Sequence, residues 1–413
     1  MITVTRTATK SVINLASVGI QKVGFLWQFL EDPKLISERQ RSFAANMAPL
    51  RYEGCSMFRQ RIVAAALSGN VLRIDKIRVE DEQAPGLQDF EACFLRLIEK
   101  LCDGCKVEIN ETGTTMRFKP GIVTGGNVQH DCGTSRSVGW YIEGILPLVI
   151  FGKTPWTALL LTGITNDPTD MSVDTLRAVT LPLLKNFGVG EATLSVKRRG
   201  CFPKGGGEVE LRVPMVRELL PVNITDEGLV ARVRGTAFCA KVSPSIVTRV
   251  IDSARGVLNA YLPDVYINAD ATRGQQSGHS AGYSLQLVAE TTTGVLLSIE
   301  RTAGGPAASS SGEMPEDVGT EAAHMLLEEV RRGGVVDSVH QPLVLMLMAM
   351  GPEDVCKVRM GSELTPQAVR TLQLLRDAFG TVFKIKKETE AEHGTVVLSC
   401  LGIGYKNMSR RIV

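Results

Sequence analysis

The sequence predicts an α+β fold made of a threefold repeat with a smaller α+β domain inserted into the series. Three observations lead there. An amphipathic helix, a glycine, a β-rich run, a second amphipathic helix and one or two closing strands recur at about 50–125, 126–213 and 334–411. The segment 214–333 has a different order of elements, which marks it as a separate domain. The 413 residues, 44% hydrophobic and 22% charged, suffice for two or three cores.

In the first copy, Phe58, Ile62, Ala65 and Ala66 mark one helix face and Val71–Val79 reads as a strand. Phe90, Phe94, Leu97, Ile98 and Leu101 give helix two, and 107–109 and 115–118 close the unit. In the second copy, Val138, Tyr141, Ile142, Ile145 and Leu148 form helix one and 157–164 the strand. Val173, Leu176, Leu183, Leu184 and Phe187 form its helix two, and 192–197 and 208–213 its closing strands. In the third, Leu343–Met350 belongs to helix one and Val355–Met360 to the strand. Val369, Leu372, Leu375 and Phe379 mark helix two, and Val382–Ile385 and Val396–Leu401 the closing strands. The inserted domain reads as strand 229–242, helix 245–261, strand 264–269, strands 283–290 and 294–301, and helix 316–332. Its Gly-, Ala- and Ser-rich loop Ala303–Gly312 is the segment whose composition best fits disorder.

Residues 1–49 form an extension with Arg6, Lys10 and Lys22 and no acid before Glu31. That fits a transit peptide superficially, but Met47-Ala48-Pro49 stands directly before the first patterned segment, so a disordered arm or an upstream-start artefact is expected. The longest apolar runs, 144–152 and 342–350, fall short of the roughly 18–20 residues that span a bilayer, so no membrane partner is expected. Net charge is only +2, so any RNA contact must come from local patches: 197–204, Arg59 with Arg61, Arg331 with Arg332, Lys384–Lys387 and Lys406–Arg411.

Nine cysteines are scattered without disulfide or zinc spacing, and the lone CxxC, Cys102-Asp103-Gly104-Cys105, closes a helix where a redox motif would open one. A reducing compartment is expected. The five histidines (His130, His279, His324, His340, His393) show neither HxxxH nor HExxH spacing, so no metal is expected.

The segment richest in chemistry is Arg198-Arg199-Gly200-Cys201-Phe202-Pro203-Lys204-Gly205-Gly206-Gly207-Glu208. Arg198, Arg199 and Lys204 flank a turn in which Gly205, Gly206 and Gly207 can fold into a nest of N–H groups, a combination suited to phosphate or acidic side chains. The alternative is a solvated hairpin turn. Charge reversal at these three cations is expected to weaken partner or RNA binding and to leave thermal stability nearly unchanged. Arg59 and Arg61, at the start of the first helix of unit one, and Arg136, just before that of unit two, join the candidates for RNA or partner contact.

Several segments, in this order along 50–411, carry a family resemblance. They include Tyr52-Glu53-Gly54-Cys55-Ser56-Met57-Phe58-Arg59-Gln60-Arg61, Thr112-Gly113-Thr114-Thr115, His130-Asp131-Cys132, Thr165-Asn166-Asp167 and the Arg198–Glu208 loop. Val242-Ser243-Pro244, Val288-Ala289-Glu290-Thr291-Thr292, Gly333-Gly334-Val335-Val336-Asp337-Ser338 and Gly402-Ile403-Gly404-Tyr405 continue the series. The chain resembles the RNA 3′-terminal phosphate cyclase family, in its cyclase-like branch, and the resemblance implies that family's α+β fold. The family's enzymes use a nucleotidylated histidine before helix two of the third unit. Here 361–369 reads Gly-Ser-Glu-Leu-Thr-Pro-Gln-Ala-Val, and Gln367 aligns with the nucleophile. A carboxamide nitrogen, its lone pair delocalised, cannot replace imidazole. The glycine-rich start of the first helix is reduced to Glu53-Gly54-Cys55-Ser56, and the acid-glutamine pair of the third unit reads His340-Gln341. Nucleotide binding is therefore not expected, and no cofactor is. His340 and Gln341 sit where a family pocket would be and are candidate polar contacts.

The resemblance further implies a nucleolar ribosome-assembly factor of the small-subunit processome. It would support early cleavages toward the small-subunit 18S rRNA with a ribosome-assembly GTPase, pre-rRNA and small nucleolar ribonucleoprotein as partners. The alternative is an endoribonuclease using Arg376 and Asp377 beside Lys384–Lys387 as cation and base. Against it, Arg376 and Asp377 fit exposed positions between core residues Leu375 and Phe379.

Overall fold

The computed structural model describes residues 49–303, 313–388 and 394–407. The N-terminal extension up to residue 48, the loop 304–312, His393 and residues 408–411 of the last basic patch lie outside them.

Unit one runs β1 (Leu50–Glu53), α1 (Phe58–Ser68), β2 (Leu72–Asp75), α2 (Asp89–Leu101), β3 (Cys102–Asp103), β4 (Lys106–Ile109), β5 (Met116–Lys119) and β6 (Ile122–Val123). Two parallel strands need a crossover between them. Helix α1 supplies it and stops at Gly69, whose φ of 75° suits a residue without Cβ. The expected strand 71–79 ends early, because Lys76 and Arg78 take positive φ and Arg78 turns to grip the buried Glu91 carboxylate with two 2.7 Å hydrogen bonds.

Unit two follows as β7 (Asn127–Asp131), α3 (Val138–Val149), β8 (Trp156–Gly163), a continuous helix α4 over 173–186 with a π turn inside it, β9 (Thr193–Arg198) and β10 (Gly207–Pro214). Ser137 Oγ accepts from Trp140 N and Ser172 Oγ from Thr175 N, which caps the two helices. The short β11 (Asn223–Ile224) comes next. The inserted domain is β12 (Val230–Ala240), α5 (Pro244–Leu258), β13 (Val265–Thr272), β14 (Gly282–Thr291), β15 (Leu296–Thr302) and α6 (Pro315–Arg332). Unit three closes with α7 (Gln341–Met350), β16 (Val355–Met360), α8 (Pro366–Phe379), β17 (Lys384–Lys387) and β18 (Val396–Leu401).

The sheets are ordered β1-β2-β5-β4, β7-β8-β10-β9 and β11-β16-β18-β17, each with one parallel pair followed by two antiparallel ones. Each copy therefore opens with a strand of two to five residues that the pattern 50–125, 126–213 and 334–411 did not contain as such. In unit three that strand, β11, precedes the insertion. The inserted domain thus interrupts unit three between its first strand and first helix. The expected 214–333 boundary moves accordingly, because residues 223 and 224 pair with Lys357 and Val358. The insertion has its own sheet, β13-β12-β14-β15.

All ten residues of α7 are buried, and a helix apolar on every side belongs at the centre of the core. Helix α8 buries Ala368, Thr371, Leu374, Leu375, Ala378 and Phe379 but leaves Val369 42% exposed, so the expected stripe holds at Leu375 and Phe379 and shifts by one position in the first turn. Cys102 is buried and all nine cysteines are free. No helix among the described residues is long and apolar enough to cross a membrane.

The insertion is tied to unit two at the start of α4. The Glu300 carboxylate of β15 accepts hydrogen bonds from Ser172 N at 2.8 Å and Thr175 Oγ1 at 2.7 Å. Burial outweighs these donors and raises Glu300 from 4.5 to about 7. A carboxyl raised by folding costs stability as pH climbs through that window, because the fold favours the neutral form. Glu300→Gln is therefore expected to gain on the parent between pH 5 and 8, by up to about 3 kcal/mol, in urea unfolding compared at the two pH values. A gap that does not change with pH contradicts the assignment.

Candidate functional site

The seam between units one and three gathers cations around an open helix end. From β1 the chain turns through Gly54 (φ 69°) and Met57 (φ 56°) into α1. Helix α1 starts with no capping side chain and no acid in its first turn, so its leading N–H groups and the positive end of its dipole are available. Arg61 folds back on this turn, with Nη1 2.8 Å from Gly54 O and its guanidinium 4.5 Å over the Tyr52 ring. Unit three contributes Arg370 of α8, whose Nη1 lies 3.1 Å from Ser56 Oγ. Burial pulls the Arg61 pKa down, and Arg370 adds to the pull. Two like charges meeting at a helix N-terminus favour an anion between them.

Tyr52 Oη is buried beside Asp377, and burial followed by the Asp377 charge pushes its pKa up to about 12. Gln367 is exposed one turn before Arg370, on the same face of α8. The loop presenting it is held by Gln341, whose Oε1 accepts from Thr365 N at 2.9 Å and whose Nε2 donates to Glu363 O at 3.2 Å. Gln341 is 1% exposed and so positions this loop from beneath.

His340 is also 1% exposed and is enclosed in the fold. Its Nδ1 lies 2.5 Å from Asp337 Oδ1 and its Nε2 2.7 Å from Thr180 Oγ1. Burial opposes the imidazolium, but the Asp337 carboxylate overrides it and the net shift is upward. Asp337 in turn accepts from Ser298 N and Oγ, so this pair joins unit three, α4 and the inserted domain. The expectation of a pocket contact at His340 is corrected: its ring nitrogens are taken by internal partners.

Arg59 and Arg199 are corrected in the same way. Arg59 is 9% exposed, donates to Trp140 O and to Glu143 at 3.1 Å, and stacks 4.2 Å over the Trp140 ring. Arg199 is 3% exposed, forked onto Asp174 and bonded to Asp270 at 2.6 Å, and lies 4.6 Å over Phe238. Both charges are neutralised inside the protein. Arg136 is half-buried, 3.3 Å from Asp170 and over Phe90 and Trp140. Arg198 pairs with Glu208 at 3.1 Å, and only the Lys204 side chain of the three loop cations is exposed without an ion pair among the described residues.

The loop's glycines answer to the inserted domain and not to a ligand-sized opening. Gly205 N donates to Cys201 O, Gly205 O accepts from His279 N at 2.8 Å, and Lys204 N donates to Ser280 Oγ at 3.0 Å. A Cβ on Gly206 would stand 2.5 Å from the His279 ring, and one on Gly207 2.6 Å from Thr165. The nest is therefore a junction in which two backbones approach closely. Arg376 and Asp377 are adjacent, 3.6 Å apart and 58% and 42% exposed.

A family model for RNA 3′-terminal phosphate cyclase matches residues 50–385. The chain belongs to the RNA 3′-terminal phosphate cyclase family. Its α+β fold is that family's fold. An RNA 3′-terminal phosphate cyclase-like protein of Homo sapiens is 45% identical over 369 residues, covering 88% of this chain and 98% of that one. A probable RNA 3′-terminal phosphate cyclase-like protein of Dictyostelium discoideum is 45% identical over 372 residues, covering 87% and 99%. The rRNA processing protein rcl1 of Schizosaccharomyces pombe is 43% identical over 366 residues, covering 88% and 98%.

Among the family-pattern residues, Tyr52, Ser56, Arg61 and Gln341 meet at or beneath the seam. Arg370 was not legible as a member, because helical spacing marks it as an outward charge without saying that unit one lies opposite. Arg199→Ala is expected to cost about 3–5 kcal/mol, since it strands two carboxylates in the junction. Arg198→Ala, an exposed pair, should cost under about 1 kcal/mol. Equal effects of the two in denaturant unfolding would contradict this division.

Proposed function

We propose that this protein acts in ribosomal RNA processing as a nuclear, nucleolar factor of the small-subunit processome that binds RNA and protein without cyclising RNA ends. The observation that carries the reading is the 43% identity, over 88% of this chain and 98% of the relative, to a protein named an rRNA processing protein. The seam supports the non-cyclase part. It keeps an anion site, built from Arg61, Arg370 and the α1 N-terminus, and presents the carboxamide of Gln367 where the family's enzymes need an imidazole. In this reading an RNA phosphate occupies the seam. A ribosome-assembly GTPase, pre-rRNA and small nucleolar ribonucleoprotein are its partners, and the process served is early cleavage toward 18S rRNA.

Two measurements test it. Purified protein with ATP and an RNA ending in a 3′-phosphate should yield no cyclic end, and depletion in cells should cause early small-subunit precursors to accumulate. A cyclic product sinks the non-cyclase reading, and unchanged precursor levels sink the processing role. Arg61→Ala with Arg370→Ala should lower affinity for a phosphorylated RNA end about tenfold or more with little loss of stability. Specific scission of precursor rRNA, lost in Asp377→Ala, would favour the endoribonuclease instead.

A further inference from the structure

Three segments meet where the inserted domain docks on unit two: 198–208, 239–246 and 269–283. Their backbones pin one another. Arg199 N donates to Gln276 O at 3.0 Å and His279 N to Gly205 O at 2.8 Å. Lys204 N donates to Ser280 Oγ at 3.0 Å and Lys241 Nζ to His279 O at 3.3 Å. A Cβ on Gly278 would collide with Gly205 O, so the two loops lie backbone against backbone. Ala240 and Thr272 are the last paired residues of the parallel strands β12 and β13, and Lys241 and Arg273 directly follow them. The space outside the carboxyl ends of parallel strands is where open α/β sheets receive ligands.

The only acids in these three segments are Glu208 and Asp270. Arg198 pairs with the first at 3.1 Å and Arg199 with the second at 2.6 Å. Two acids border the segments, and both are engaged. Asp167, next to the Asn166 carbonyl that accepts from Phe202 N, is buried and accepts from Thr169 N and Oγ1. Glu313, whose carbonyl accepts from Tyr283 Oη, is paired with Arg301. Lys204, Lys241, Arg273 and His279 are left over, all exposed and without an ion pair among the described residues. The loop 304–312 follows Ala303, whose N donates to Tyr283 O at 3.0 Å, and it contains no charged residue that could change this balance.

We propose that Lys204, Lys241, Arg273 and His279 form a second RNA contact that grips the sugar–phosphate backbone, resting on the reading of the chain as an RNA-processing factor. The lysines supply point charges, Arg273 a planar fork and His279 a ring donor, a set that satisfies phosphate oxygens from several directions. Because the loops are pinned to each other, these side chains start from fixed positions, and less ordering is left to be done on binding. None of the exposed large apolar side chains lies in the three segments, and Phe202 and Tyr283 are half-buried. The surface therefore lacks the apolar anchor that a docked peptide needs and the open ring on which a base stacks, and the contact is to backbone. It is separate from the seam, which lies between α1 and α8 of units one and three.

The test uses the full chain and a 12-nucleotide oligouridylate with hydroxyl groups at both ends, which offers backbone and no terminal phosphate. The triple variant Lys204→Gln, Lys241→Gln, Arg273→Gln should lose about tenfold or more in affinity, with melting temperature unchanged. The slope of log K against log salt should fall by about 2, at about 0.7 for each phosphate contact removed from a single strand. A second variant, Arg51→Gln, Lys106→Gln, Lys119→Gln, removes the same charge from exposed positions of unit one and should bind nearly as the parent does. Equal losses in the two variants, or none in the first, overturn the inference. The processing reading is tested apart from it, by precursor accumulation on depletion. If the first variant loses only binding to a phosphoserine peptide, the surface docks a protein and the RNA assignment falls.

Discussion

One buried guanidinium sets the terms for much of this structure. Arg199 leaves the end of β9 and holds Asp174, in the first turn of α4, and Asp270, in β13 of the inserted domain. Arg199 and Asp174, both taken out of water, must be matched in position, with Asp270 closing the cluster at its partly exposed edge, or the fold loses several kcal/mol. That match fixes the insertion against unit two. Glu300 acts on the same helix from another strand by capping its N-terminus, and the Asp337–His340 pair reaches Thr180 within it. Helix α4 is thus the point where unit two, the inserted domain and the start of unit three are registered together by polar contacts.

The apolar counterpart is α7. Because the insertion separates β11 from α7 by more than a hundred residues, the third unit has to be completed across that gap. A helix buried on all sides, between α3, α8 and β18, gives the returning chain a large apolar area that only the correct docking can hide. With α7 seated, Gln341 at its first turn secures the loop before α8, and α8 meets α1 to form the seam. The geometry of the anion site is therefore inherited from the core. Arg61 and Arg370 come from chain segments that the packing of two helices brings into register.

Most of the fold was legible because its helices carry strong apolar stripes. Residues such as Phe94, Leu97, Ile98 and Leu101, or Leu375 and Phe379, are where periodicity places them. The leading strands were not, since Leu50–Glu53, Asn127–Asp131 and Asn223–Ile224 are too short and too polar to show a period of two. Missing β11 is also why the insertion was placed before unit three and not inside it. The site was less legible than the fold. A basic residue reads the same in sequence whether it faces solvent, as Lys204 does, or is clamped by carboxylates 25 and 71 residues away, as Arg199 is.

By itself the sequence determined the three repeated units, the inserted domain, the family and the absence of a histidine before α8, because periodicity, spacing and residue identity are local properties of the chain. Tertiary structure alone decided which cations remain available. Arg59, Arg199 and His340 are enclosed by internal partners, whereas Arg370 and Lys204 stay exposed and Arg61 is half-buried at the seam. The physical reason is that a charge is neutralised by what the fold places within a few ångströms of it, and those neighbours come from distant segments whose proximity no local pattern encodes.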